Sequence, residues 1–325
     1  MSYTLFRSVR VFCFITVVAY GACSGLAIAQ DAPEGDQILT DSEISFRIGY
    51  RVDQLDWNIA SDLSGTYTPN ILSELTWDDI ESVELQIDFS GKLARQFYYH
   101  IDLSIAGIRK GKNQDSDYYG NNRTLEFSRS NNNASDGYLG DISGAIGYPI
   151  QLDEDGKKRL RLTPLLGYSY HRQNLTMTDG VQTIASPDTP PLGPFPGLDS
   201  SYDAEWYGPW FGFELAFALA PGVALDIQFE HHVGEYLGVA DWNLREDFQH
   251  PTSFEHTADS TGNSLSLNLV IDRGWLWIVS AQFQKWQTDA GTAKIFFSNN
   301  TYAETRLNEV NWRSNSLSFG VVVPY

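Results

Sequence analysis

Residues 109–136 read RKGKNQDSDYYGNNRTLEFSRSNNNASD, a polar, asparagine-rich stretch with almost no apolar content. Apolar residues alternate with polar or small ones before it (Tyr99, Ile101, Leu103, Ile105) and recur at even spacing after it (Tyr138, Ile142, Ile146, Tyr148). Such a long loop is uncommon inside a compact soluble domain. It is typical of an outer-membrane barrel, whose strands alternate apolar-out and polar-in and join through long outer loops. The stretch therefore predicts a transmembrane β-barrel.

The first 29 residues have the features of a secretory signal peptide. Arg7 and Arg10 give a basic start, an apolar run follows, and Ala27-Ile28-Ala29 fits a cleavage site. A transmembrane anchor is the first alternative, but the apolar run is short and broken by small residues. The second is lipoprotein cleavage before Cys23, where Tyr20 replaces the expected small aliphatic residue. We expect a signal peptide at 1–29, a flexible lead-in at 30–42 and a barrel at 43–325.

Composition excludes several classes of protein. The chain has 22 basic and 41 acidic residues, and the signal contains two of the basic ones, so the rest carries 20 − 41 = −21. This charge argues against a nucleic-acid partner. Both cysteines, Cys13 and Cys23, lie in the signal, so we expect no disulfides. The absence of a later run of 18 apolar residues argues against a helical membrane protein.

Ten alternating segments follow one another along residues 43–325. Five long loops join them on one side and four short turns on the other, with later long loops at about 177–201, 240–261 and 288–308. The last segment alternates strictly and ends in an aromatic residue (Leu317, Phe319, Val321, Val323, Tyr325). An even strand number with this loop asymmetry predicts an all-β fold, a ten-stranded antiparallel transmembrane β-barrel in the cell outer membrane. A secreted sandwich or lipocalin-like barrel is the soluble alternative.

The predicted inner faces carry charged and polar side chains, among them Arg47, Arg51, Glu84, His100 and Glu230. Barrels of about eight strands are filled by side chains, whereas those of about 16–18 leave a wide channel. We therefore expect at most a narrow path for small solutes.

Four runs carry a family resemblance: LSELTW from Leu72, the loop GKNQDSDYYGNNRT, the segment FPGLDSSYDAEWYGPW and DWNLREDF. They resemble the Protochlamydia outer membrane protein family, and the likeness covers most of the chain after the signal. That family resembles the omptins, ten-stranded outer-membrane barrels that include surface endopeptidases. The resemblance implies an omptin-like barrel with a porin-like or surface-loop binding role.

The resemblance also raises an enzyme alternative, an omptin-type surface aspartic endopeptidase that cleaves basic peptides. Asp115-Ser116-Asp117-Tyr118 matches the omptin Asp-x-Asp-aromatic motif of the second outer loop. Omptins have an Asp-x-His motif in the fourth loop, but here two residues separate Asp247 from His250, and His256 follows a glutamate. Since a base must be oriented by its carboxylate, this departure favours binding of basic peptides without cleavage. If the chain is a protease, Asp115, Asp117, Asp247 and His250 are the expected catalytic residues.

Other interpretations of these residues stay open. Asp115 and Asp117 also fit solvated loop acids or half of a calcium site, although no bidentate glutamate follows at the expected spacing. We predict no metal and no cofactor. Omptins hold lipopolysaccharide phosphates through a Tyr and an Arg of strand five, which Tyr168 and Arg172 match, while Tyr170 replaces an acid. The resemblance therefore implies lipid and lipopolysaccharide as partners.

Overall fold

The computed structural model of the chain describes residues 42–93, 96–153, 160–187 and 189–325. The predicted signal peptide (1–29) and all but the last residue of the predicted lead-in (30–42) lie outside the described residues. No helix in the described part of the chain is long and apolar enough to cross a membrane.

The described residues form fourteen strands: β1 (Glu43–Ile59), β2 (Ser73–Leu93), β3 (Phe97–Tyr118), β4 (Glu126–Asn133), β5 (Gly137–Gly147), β6 (Ile150–Gln151), β7 (Leu160–Ile184), β8 (Gly193–Pro194), β9 (Asp199–Ala220), β10 (Val223–Asp241), β11 (Phe254–Asp272), β12 (Leu276–Thr288), β13 (Gly291–Phe296) and β14 (Tyr302–Pro324).

The strands pair antiparallel in chain order around a ring. β4 and β5 occupy one position between β3 and β7, and β12 and β13 occupy one position between β11 and β14. β14 then pairs with β1 from Glu43↔Pro324 to Ile59↔Leu307, so the hydrogen-bonded path returns to its start. Not counting the two-residue strands β6 and β8, the ring has ten positions, which confirms the predicted ten-stranded antiparallel barrel.

The structure corrects the predicted bounds of the outer loops. β3 continues to Tyr118 and pairs with β4, so only residues 119–125 of the predicted loop at 109–136 connect the two strands. In the same way β13 occupies part of the predicted loop at 288–308, and β11 begins at Phe254 within the one at 240–261. These extensions lack apolar alternation, which is the sequence signal for a strand. Backbone pairing does not require that signal, so the strands run on past the apolar band.

The barrel wall has two levels with opposite side-chain patterns. On the lower level, large apolar residues such as Ile48, Leu85 and Ile105 point outward and are 55–60% exposed, as hydrocarbon contact requires. On the upper level the apolar side chains point inward, where Trp57, Trp77 and other aromatic residues form a core that is almost inaccessible to solvent. The lower level therefore spans the membrane and the upper level stands above it with a core of its own.

Register irregularities between the levels change which residues face inward. On β2 the buried inner residues are Glu84 and Gln86 below, but Leu75 and Trp77 above, across an irregularity between Asp78 and Glu81. A shift by one residue moves every following side chain to the other face of a sheet. This shift brings Asp115 and Asp117, the acids of the Asp-x-Asp-aromatic motif, to the inner face of the barrel.

Candidate functional site at the outer mouth

Two predicted site residues, Asp115 and Asp117, face the barrel axis near its outer rim. Asp115 is the register partner of buried Leu75 on β2 and of buried Ser130 on β4, so its side chain points to the same inner side. Asp117, two residues further up β3, shares this face. Both carboxylates are partly accessible, so a ligand at the mouth can reach them.

Both carboxyl groups hold their protons more tightly than an ordinary aspartate. Burial raises the pKa of Asp115 well above its usual range, and the negative charge of Asp117 raises it further. Burial also raises the pKa of Asp117, against hydrogen bonds from the Ser73 and Ser128 hydroxyls. A nearby cation favours the ionised form of both groups. The pair therefore gains negative charge when a cation binds.

Arg245, in the loop between β10 and β11, is the basic group that acts on this pair. Its positive charge lowers the pKa of both Asp115 and Asp117. Its guanidinium nitrogens Nε and Nη2 donate to the carboxylate of Asp247 at 2.9 and 2.8 Å, and its Cζ lies 4.0 Å from the ring centroid of Phe248. Asp247 is thus paired with Arg245, and the hydrogen bond from Arg245 lowers the pKa of Asp247.

His250 is paired elsewhere. Its Nδ1 lies 2.6 Å from Oδ1 of Asp241, the last residue of β10, and this hydrogen bond raises the pKa of the imidazole. Ala240, the residue before Asp241, is fully buried on the inner face, so alternation directs Asp241 to the outer face. The structure therefore brings Arg245, and not His250, to Asp115 and Asp117. The catalytic role of the four predicted residues stays a prediction.

Aromatic side chains form the floor of the mouth. The rings of Trp77, Tyr202 and Trp242 stack in sequence, with centroids 5.3 and 6.5 Å apart, and Trp57 lies beside Tyr202 at 5.8 Å. Below them Trp206, Trp286 and Trp312 form a second group with centroid separations of 5.7–5.9 Å. Because the side chains of both groups except Trp242 are 0–2% exposed, the floor closes the lumen beneath the acid pair.

His256 lies inside this floor and is fully buried. Its Nδ1 is 2.9 Å from the Tyr202 hydroxyl, which in turn is 2.5 Å from the Tyr236 hydroxyl. Burial lowers the pKa of His256 to about 3, so the imidazole is neutral at neutral pH. Its Nε2 has no hydrogen-bond partner within the described part of the chain.

The lower lumen is polar, with a cavity of about 110 Å³. The guanidinium of Arg51 binds Asp53, Glu84 and Asp141 at 2.8, 3.1 and 2.5 Å, immediately below the aromatic floor. The indole of Trp312 donates to Asp53 at 2.8 Å and so joins the two levels. The inward positions predicted for Arg47, Arg51, Glu84, His100 and Glu230 are confirmed.

Asp88, His100 and Asp102 have the donor types of a metal site, with ligand atoms within 4.8 Å of one another. Arg47, however, already binds the carboxylate of Asp88, and His100 Nε2 is 3.0 Å from Asp102 Oδ1. Both acids of this group are thus already bound by basic groups of the chain, and His100 Nδ1 has no hydrogen-bond partner among the described residues.

The predicted lipopolysaccharide residues lie on the outer wall, where outward parity places them. Tyr168 is 42% exposed. Arg172 donates from Nε and Nη2 to Asp203 Oδ1 at 3.1 and 2.9 Å, and its Cζ lies 5.7 Å from the ring centroid of Tyr138. A carboxylate of the chain thus already meets the charge of Arg172. The predicted phosphate contact of these two residues stays a prediction.

Sequence reasoning missed Arg245 and the aromatic floor. Arg245 lies in the run DWNLREDF, which carries the family resemblance, but nothing in its spacing indicates contact with β3. Trp77 and Tyr202 lie in runs that also carry the resemblance. Their inward direction depends on the register irregularities, which leave no mark in the residue pattern.

The architecture agrees with that of one solved structure of an outer-membrane protein. The outer membrane protease OmpT of Escherichia coli superposes with a TM-score of 0.65 and 13% sequence identity, over 90% of this chain and 100% of that one. The outer membrane protein OprG of Pseudomonas aeruginosa gives a TM-score of 0.35 and 11% identity, over 88% and 98% of the two chains. At 13% identity the likeness to OmpT concerns the fold alone.

The model of the family "Protochlamydia outer membrane protein" matches residues 45–323. A search of the curated proteins finds no match.

Proposed function

Since this chain belongs to the Protochlamydia outer membrane protein family and is an outer-membrane β-barrel, we propose that it binds cationic side chains of peptides at its closed outer mouth. One observation carries this proposal: Asp115 and Asp117 point inward and remain accessible above an aromatic floor. Carboxylates attract ammonium and guanidinium groups, and the partly exposed ring of Trp242 adds an aromatic face. The charge of the protein, with 41 acidic against 22 basic residues, would steer basic ligands to the surface.

Arg245 indicates which cation the mouth suits. Its guanidinium is held between a carboxylate and the face of Phe248, and its charge acts on the acid pair. A guanidinium from a ligand would meet the same combination of groups. We therefore expect the preferred ligand to be an arginine side chain of an extended basic peptide.

The porin role agrees less well with this geometry. A solute would have to pass the floor formed by Trp206, Trp286 and Trp312 and then the charged layer around Arg51. The endopeptidase alternative needs a base beside the acid pair within hydrogen-bond reach. His250 is bound to Asp241 on the outer side of the rim, and His256 is buried in the floor.

Binding of a labelled arginine-rich peptide to the purified protein in detergent tests the proposal. We expect Asp115→Asn combined with Asp117→Asn to weaken binding at least about tenfold, a loss of about 1.4 kcal/mol. The matched control is Asp259→Asn, because Asp259 is an exposed acid on β11, and we expect it to leave the affinity unchanged. Equal binding by all three proteins would overturn the proposal.

The same peptide reports on the alternative. Cleavage of the peptide that disappears in both Asp117→Ala and His250→Ala would replace the binding role with the endopeptidase role. Cleavage lost in Asp117→Ala but retained in His250→Ala would instead point to His256 as the base.

A further inference from the structure

A polar groove crosses the outside of the barrel wall above the membrane. Two adjoining cavities of about 660 and 290 Å³ form it, and both are lined by Gln54 on β1 and by Thr76 and Asp78 on β2. The neighbours Leu55 and Trp77 are buried on the inner side, so alternation directs these three side chains outward. Because the smaller cavity also reaches β14 and the larger one β4, the groove extends across five neighbouring strands.

The lining of this groove consists almost entirely of hydrogen-bonding side chains. The larger cavity is lined by six primary amides, those of Gln54, Asn113, Gln114, Asn131, Asn132 and Asn133. Leu55 is the one apolar residue that lines either cavity in the described part of the chain, and it is only 2% exposed. An amide offers both donors and an acceptor, as a hydroxyl group does. Since most small-molecule pockets are lined mainly by apolar side chains, this groove suits a ligand that is rich in hydroxyl groups.

The charged side chains of the groove do not favour an anionic ligand. Lys112 Nζ lies 2.8 Å from Asp79 Oδ2, and Arg123 Nε donates to Glu74 Oε2 at 2.7 Å, so these two bases are already paired with acids of the lining. In all, five acids and three bases line the two cavities. An acidic group of a ligand would meet this excess of negative charge, so a neutral ligand fits the groove better.

Several polar groups of the lining lack a partner within the described part of the chain. Asn132 is 6% exposed and donates from Nδ2 to Asn113 Oδ1 at 2.7 Å, but its own Oδ1 accepts no hydrogen bond there. A buried acceptor without a donor indicates a group from outside the chain. At the centre of the groove, the exposed side chains of Gln54 and Asp78 form no hydrogen bond or ion pair with a described residue. The groove therefore retains donors and acceptors for a ligand.

We propose that this groove binds a neutral oligosaccharide chain. The hydroxyl groups of successive sugar units would exchange hydrogen bonds with the amides, and the Asp78 carboxylate would accept from two neighbouring hydroxyls. An acyl chain would gain nothing from a lining without exposed apolar side chains, so the ligand is the sugar chain itself and not a lipid. The site is separate from Asp115 and Asp117 and does not depend on the proposed function of the mouth.

A microarray of neutral and acidic oligosaccharides, probed with the fluorescently labelled full-length protein in detergent, tests the proposal. We expect neutral chains to bind, and Gln54→Ala combined with Asp78→Ala to weaken the affinity for the best of them at least about tenfold. The matched control is Gln287→Ala combined with Asp259→Ala, which removes the same two residue types from exposed positions on β12 and β11 that do not line the groove. Its affinity should stay within about twofold of the wild type. Heat-modifiable migration on a gel confirms that each variant folds.

Intact lipopolysaccharide and its lipid-free oligosaccharide, placed on the same array, separate recognition of sugar from recognition of lipid. The proposal is overturned if no oligosaccharide binds, or if the groove variant binds the best oligosaccharide as well as the wild type does. It is equally overturned if intact lipopolysaccharide alone binds, or if the control variant loses as much affinity as the groove variant.

Discussion

His256 is held neutral by its surroundings, and this has a consequence for stability. Its ring is fully buried against Trp57, with ring centroids 4.7 Å apart in an edge-on contact. Burial disfavours the imidazolium and lowers the pKa of His256 to about 3. A histidine whose pKa is depressed in the folded state contributes stability that is complete above its unfolded pKa and is lost as the pH falls toward the folded pKa. The relevant window runs from about pH 6.5 down to about pH 3.

We therefore expect His256→Phe to change acid stability more than stability at neutral pH. Between pH 7 and pH 4 the free energy of unfolding of the wild type should fall by about 3 kcal/mol because of this group. The variant has no proton to take up at this position, so it should not show this loss. The temperature at which the gel mobility shift is lost, measured at pH 7 and pH 4, gives the comparison. His231→Gln, a substitution on the outer wall, serves as the control and should follow the wild type at both pH values. A variant with the same acid sensitivity as the wild type would contradict the assigned environment of His256.

At the scale of elements, the strand extensions above the membrane distinguish this barrel from the loop pattern that its sequence predicts. β3 and β4 pair over polar residues on both faces, from Lys112↔Asn133 to Tyr118↔Glu126. The inner side of this hairpin is supported by buried asparagines, where Nδ2 of Asn132 donates to Oδ1 of Asn113 at 2.7 Å. The extension therefore has the ladder of a sheet and an internal polar contact, and it positions Asp115 and Asp117 over the floor.

Hydrogen exchange tests this element directly. We expect the backbone amides of 112–118 and 126–133 to exchange slowly, because they belong to paired strands, and those of 119–125 to exchange quickly. The amides of 302–307 on β14, which pair with β13, provide an internal reference at the same level of the barrel. Uniformly fast exchange across 109–136 would contradict the pairing of β3 with β4 and would favour the open loop that the sequence predicts.

At the scale of the whole molecule, the lumen is interrupted by two successive layers. The upper layer is the aromatic floor, and the lower one is the ion-pair network of Arg51 with Asp53, Glu84 and Asp141. The polar cavity of about 110 Å³ lies in the membrane-spanning half, lined by residues such as Ser45, His100 and Glu230. Ten strands place the barrel near the size that side chains can fill, and the structure fills it with aromatic rings above and charges below.

We accordingly expect no large, steady conductance steps when the purified protein is inserted into planar bilayers. A general-diffusion porin measured in the same bilayers confirms that steps would be detected. Reproducible steps of the size that such a porin gives would contradict the closed floor. That result would also favour the porin role over binding at the mouth.

The sequence by itself determined the architecture of the membrane-spanning level. Apolar residues at every second position, as in Leu317, Phe319 and Val321, indicate lipid on one face of the strand and a polar lumen on the other. The number of strands and the inner residues, such as Arg47, could therefore be predicted. It also marked Asp115 and Asp117 as candidate site residues through the family resemblance.

Only the tertiary structure decided the upper level and the mouth. Above the membrane water replaces lipid outside, so the apolar side chains turn inward and the alternation that marks strands is reversed or absent. The inward direction of Asp115 depends on irregular register between β2 and β3, and the approach of Arg245 depends on loop packing across the rim. Both are set by contacts between residues far apart in the chain, which no local residue pattern encodes.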